Sequence, residues 1–163
     1  MVREYLSRFV LAALCVATLV LGTSAQMPNP YGAPVTLEQA KKIAAPAMAE
    51  AAKNNWNMAV AIVDPSGNLV YYEKMDATQL GSANLAVEKA RSAALFKRPT
   101  KAFQDTLAGG GDGLRVLKVT GGVPIEGGLP LLIEGKIVGA IGVSGGTSAQ
   151  DGQCAKAGSD TIK

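Results

Sequence analysis

The chain reads as an α+β protein, an antiparallel sheet with helices packed on its faces. Three observations predict this. Apolar runs of strand length recur at Met58–Val63, Leu129–Ile133 and Ile137–Val143. Tight-turn sequences, Asp64-Pro65-Ser66-Gly67 and Glu134-Gly135-Lys136, join neighbouring runs, so strands adjacent in sequence should pair as hairpins. Between and around them, Leu37–Lys53 and the alanine-rich Ser82–Phe96 carry apolar residues at helical spacing.

Taken in order, the first residues look like a secretory signal. Arg3 and Arg8 precede the uncharged apolar run Phe9–Leu21, and Thr23-Ser24-Ala25 supplies small residues for a cut after Ala25. The run is too short to span a bilayer as a stable helix. The expected mature protein is therefore periplasmic or secreted, with no membrane attachment after processing. Residues 26–35 are proline-rich and read as an extended arm. Residues 36–163 form one domain, with no internal repeat or linker.

Thr36 and Gln39 have the spacing of a capping box. The helix they open should run to about Lys53, with Pro46 kinking it near Lys42 or marking a second start. Asn57–Val63 and Leu69–Met75 form the first hairpin. Ser82–Phe96 is a helix with Ala83, Ala86, Val87, Ala90, Ala93, Ala94 and Lys97 on its packed side. Pro99 opens a short helix through Phe103. Ala108–Gly113 is a glycine-rich loop without the spacing of a nucleotide-binding fingerprint. Strands follow at Val123–Ile125, Leu129–Ile133 and Ile137–Val143, then a closing helix at about Ala149–Ala157.

Composition narrows the chemistry. The net charge of +3 is too small to indicate a nucleic-acid partner. There is no histidine, which excludes histidine metal sites, Ser-His-Asp triads and Cys-His dyads. Of the two cysteines, Cys15 lies in the expected signal, so Cys154 has no internal disulfide partner. No nucleophile–base or acid–base pair is visible, so the reading leans away from an enzyme.

Several segments together resemble the GlcG/HbpS-like family of haem-binding proteins. They are Thr36-Leu37-Glu38-Gln39-Ala40, the hairpin Ala59–Leu69, and Ser82, Lys89, Ala90, Ser92 and Ala93 of the central helix. Gly122-Val123-Pro124-Ile125, Val138–Gly145 and Asp151 complete the match over almost the whole mature chain. The resemblance implies a profilin-like α-β-α sandwich with a five-stranded antiparallel sheet, and homo-oligomers from dimers to octamers. A related domain ends the PduO-type corrinoid adenosyltransferases. The implied cofactor is haem, with a role in haem sensing, storage or degradation and a sensor or enzyme as partner. The alternative is a non-catalytic oligomeric accessory protein without a haem site. Relatives can offer a histidine to iron and some carry a Glu-x-x-Glu pair; this chain has neither.

Candidate binding residues follow from charge and ligand chemistry. Lys89, Arg91, Lys97, Arg98, Lys101, Arg115 and Lys118 face only Asp105 and Asp112 in one segment. They could form a basic rim for the carboxylates of a flat tetrapyrrole, with Lys89, Arg91 and Arg98 foremost. Met75 and Tyr72 are the leading iron ligands, with Met48, Met58, Tyr71 and Cys154 also of suitable chemistry. Tyr71 and Tyr72 are strand neighbours, so one should face the core and the other should not. The metal-ligand set is otherwise open; Asp64, Glu73 and Asp76 are carboxylates, but Asp64 is a normal first residue of its turn.

Overall fold

The computed structural model describes residues 29–162. The expected signal and its cleavage site lie outside the described residues. Helix α1 spans Leu37–Lys53, and Thr36 caps it as its sequence predicts. The Gln39 amide donates to Thr36 Oγ1 at 3.2 Å, and the Thr36 amide donates to Gln39 Oε1 at 2.9 Å. The helix passes through Pro46 without a second start. Proline removes only the bond to the Lys42 carbonyl, and the buried stripe of Ala40, Ile43, Ala44, Ala47 and Ala51 holds the helix on both sides of it.

Strands β1 (Ala59–Val63) and β2 (Leu69–Lys74) form the first hairpin. The turn between them closes on Asp64, whose carboxylate accepts from the Ser66 and Asn68 amides and from Asn68 Nδ2. Helix α2 spans Leu80–Leu95 and helix α3 spans Thr100–Ala108, beginning at Pro99 but running past Phe103. The glycine-rich segment is more ordered than expected: a 3₁₀ helix covers Gly111–Lys118 and packs on α3. Strands β3 (Gly128–Ile133) and β4 (Lys136–Ser144) form a second hairpin, and helix α4 (Ser148–Ser159) closes the chain. The two-residue loop Glu134–Gly135 has φ of +50° and +71°, the backbone that a hairpin turn matching strand twist requires.

Among the described residues the sheet has four strands, all antiparallel, in the order β2-β1-β4-β3. The expected fifth strand at Val123–Ile125 is irregular backbone. Pro124 has no amide to donate. The amides around it turn to side chains instead: Val123 donates to Ser92 Oγ at 3.0 Å and Glu126 to Gln104 Oε1 at 2.8 Å. The N-terminal arm extends the sheet where β1 stops. Its Tyr31 pairs with Ile137 in parallel, and Gly32 and Val35 donate to the Ile137 and Val138 carbonyls.

Two unlike layers cover the sheet. On one face α1 and α4 enclose a core of large side chains, among them Ile43, Met58, Ile62, Leu131, Ile141 and Val143. On the other, α2 lies on a layer built almost wholly of alanine: Ala59, Ala61, Ala86, Ala90, Ala93, Ala94 and Ala140, with Val63. Small residues let the α2 backbone approach the strands closely, and this side of the molecule carries the outward-facing surface described next.

Candidate functional site

The outer side of α2 is the starting point. Glu88, Arg91 and Leu95 fall at helical spacing on its solvent side. Beside them runs Gly121–Val123, held against α2 by the bond from the Val123 amide to Ser92 Oγ. Together they line an open cleft of about 390 Å³. A second cleft of about 510 Å³ lies on the other side of Leu95, walled by Tyr31 and Pro34 of the arm and Pro65 and Ser66 of the β1–β2 turn. Leu95 belongs to both, so the two form one shallow, largely apolar surface.

Arg91 is placed rather than free. Its Nε donates to the Gly67 carbonyl at 2.9 Å, which anchors the guanidinium against the first hairpin. The terminal nitrogens make no protein hydrogen bond or ion pair among the described residues. A carboxylate could accept from both of them. The arm is strapped on the same side. Tyr31 Oη donates to the carbonyls of Ala94 and Leu95 at 3.0 and 3.2 Å, satisfying the open C-terminal end of α2. Lys97 lies over the Tyr31 ring, its Nζ 4.2 Å from the centroid.

The other expected site residues are scattered. Lys89 does not belong to any rim: it is 0 % exposed. Its Nζ donates to Asp151 Oδ2 at 2.6 Å and to the Val143 carbonyl at 3.1 Å. Burial drives Lys89 below and Asp151 above their ordinary pKa ranges, against their mutual attraction. Lys89 falls on the same helical stripe as Ala86, Ala90 and Ala93, a sign in the sequence that it points inward. Nothing in the sequence marks Asp151 as its partner, because that pairing exists only after α4 folds back. Arg98 is exposed beyond α2, bonded through Nε to the Phe96 carbonyl, with its guanidinium carbon 5.4 Å from the Phe103 ring centroid. Lys101 and Arg115 are paired within their own helices to Asp105 and Asp112. The basic segment therefore contracts to Arg91 at the clefts.

The expected iron ligands also divide. Tyr71 and Tyr72 point to opposite faces, but both are half-buried because both faces of the sheet are covered. Tyr71 and Met75 pack on the α1–α4 layer, as do Met48, Met58 and Cys154. Tyr72 is on the α2 side; its hydroxyl is enclosed and has no hydrogen-bond partner among the described residues. Burial raises its pKa. The Cys154 thiol is pushed up to about 11, chiefly by burial, so it stays protonated and inert. Asp64 is occupied by its turn. No three His, Cys, Asp or Glu side chains converge on a metal site among the described residues, and none of the described helices is long and apolar enough to cross a membrane.

The layers define a small three-layer α/β domain. The family model described as haem degrading protein HbpS-like matches residues 35–160, and the chain belongs to this HbpS-like family. It is 40% identical to protein GlcG of Escherichia coli K12 over 109 residues, 66% of this chain and 78% of GlcG. The crystal structure of HbpS superposes with a TM-score of 0.74 at 30% identity, covering 81% of this chain and 92% of HbpS. A crystal structure of a PduOC–haem complex superposes with a TM-score of 0.71 at 26% identity, covering 80% of this chain and 96% of PduOC. The family relation and the mixed α/β fold follow from these matches.

Proposed function

We propose that this chain is an exported protein that binds haem, or a closely related anionic tetrapyrrole, on the Arg91–Leu95 surface. One observation carries the reading: a guanidinium fixed at Nε by Gly67, with its terminal nitrogens open, lines one of two apolar-walled clefts that share Leu95. A flat macrocycle bearing carboxylates has complementary chemistry. Leu95, Val123 and Pro65 offer apolar contact to its face, and Arg91 offers a charge-assisted fork to a propionate. Haem, when bound, supplies the redox chemistry of its own iron; the protein's part is to bind, orient and partly shield the ring. A role in haem sensing, storage or degradation would build on that binding. The family's description and the haem complex of PduOC support the ligand class.

The test is haemin titration in albumin-free buffer at moderate salt, followed at the Soret band. Saturable binding near micromolar is expected, about −8 kcal/mol. Arg91→Ala should weaken it by about 1–3 kcal/mol through loss of the charged hydrogen bond. A titration without a saturable spectral change up to tens of micromolar rejects haem as the ligand and favours the accessory-protein reading.

We also propose that the chain self-associates. Leu114 and Leu117 are 53% and 64% exposed and, three residues apart on the 3₁₀ helix that packs on α3, share one apolar face. An exposed apolar face of this kind favours burial against another copy. Light scattering at micromolar concentration should return a dimer or larger; a strict monomer would sink the assembly while leaving the fold intact.

A further inference from the structure

Resting on the tetrapyrrole reading above, we infer that recognition is of the macrocycle and its carboxylates, not of the iron, so that the site takes metal-free porphyrin about as well as haem. The argument is the distribution of donor atoms around the sheet. Proteins hold haem iron through histidine, methionine, thiolate or tyrosinate. Histidine is absent from the chain. Met48, Met58, Tyr71, Met75 and Cys154 all pack on the α1–α4 layer, with the four-stranded sheet between them and the clefts on α2. Met58 and Cys154 are wholly buried there, and the Cys154 thiol is not ionised at neutral pH.

Among the described residues two phenols remain on the cleft side. Tyr31 lines the second cleft, but its hydroxyl proton is directed at the carbonyl oxygens of Ala94 and Leu95. Binding iron as a phenolate would require Tyr31 to lose that proton and set its negative oxygen against two carbonyl oxygens at the negative end of α2. Tyr72 has an unpartnered hydroxyl, but the atom is enclosed, and Tyr72 lines neither cleft. What does line the clefts is apolar carbon, the Arg91 guanidinium, the Glu88 carboxylate and the Ser66 hydroxyl. Those groups suit the periphery of a tetrapyrrole and, Tyr31 apart, include none of the histidine, methionine, thiolate or tyrosinate ligands that hold haem iron. The carboxylates that Arg91 reads are the same in haem and in protoporphyrin IX.

The experiment compares haemin with metal-free protoporphyrin IX on the purified protein, by Soret absorbance for the first and porphyrin fluorescence for the second. The two dissociation constants should agree within about threefold. Arg91→Ala should weaken both to the same degree. Tyr31→Phe and Tyr72→Phe should leave the Soret position of bound haemin unchanged. Binding of haemin tenfold or more tighter than protoporphyrin, or a shifted Soret band in either phenylalanine variant, overturns this inference and leaves haem binding standing. If neither porphyrin saturates, the proposed function fails, and the inference with it.

Discussion

Lys89→Met is expected to cost about 3–5 kcal/mol of folding stability, and Lys89→Met with Asp151→Leu is expected to recover most of that loss. The pair is enclosed, with side-chain exposures of 0% and 3%. Removing the ammonium alone leaves the Asp151 carboxylate buried with its strongest partner gone, and leaves the Val143 carbonyl without the Lys89 donor. Desolvation already works against both charges, which is why burial moves their pKa values toward the neutral forms. Replacing both groups by apolar ones of similar size removes that penalty together with the attraction. Recovery stays incomplete because Asp151 Oδ1 also accepts the Gly146 amide at 3.0 Å, and leucine returns nothing to that donor. Urea unfolding of the wild type, both single variants and the double variant closes the cycle, with a coupling of several kcal/mol expected. A Lys89→Met protein within 1 kcal/mol of wild type would show that the ion pair does not hold α2, β4 and α4 together.

Gly142→Val should destabilise by about 3 kcal/mol, the upper end of the usual cost of overpacking. The pressure comes from backbone. A Cβ at this position would fall inside contact of the Ala86 carbonyl oxygen, 2.5 Å from the Ala90 amide nitrogen and 3.0 Å from the Ala90 Cβ. Side chains can rotate away from an added methyl, but a helix backbone can only move as a body. Moving α2 outward opens the alanine layer and displaces Arg91 and Leu95 with it. The variant should therefore also lose haemin affinity, although Gly142 touches neither cleft. Gly142→Ala should show the same effects in smaller measure. The measurements are the urea midpoint at constant slope and the haemin titration; a valine variant with wild-type stability would mean that α2 does not sit on Gly142.

How much was legible in advance differs from element to element. The capping box of Thr36 and Gln39, the hairpin turns at Asp64 and Glu134–Gly135, and the helical spacing of α1 and α2 are local properties. Each depends on residues within a few positions, so each can be read along the chain. The fifth strand that Val123–Ile125 suggests does not form, for the converse reason. An apolar, proline-containing triplet has no intrinsic preference strong enough to survive when Ser92 and Gln104, far away in sequence, offer its neighbours' amides better partners. The 3₁₀ helix at Gly111–Lys118 was hidden by its glycines and is supported by packing on α3.

The candidate site shows the same division. That Arg91 is a strong partner for a carboxylate, and that no histidine exists to hold iron, are facts of composition which the sequence determines by itself. Whether each charge faces water or the core is not, because a basic run records charge and not direction. Lys89 and Arg91 stand two residues apart on one helix. A separation of about 200° around the axis sends the first into the alanine layer, where only Asp151 makes it tolerable, and turns the second outward to the Gly67 carbonyl and the clefts. The sheet then separates Met75, Tyr71 and Cys154 from that surface, although in the sequence Met75 stands level with Tyr72 and the other two share their ligand chemistry. Local conformation follows from short-range sterics and hydrogen bonding, which the sequence carries; partnership across sixty residues follows from which faces must be buried together, and that is settled only when the layers close.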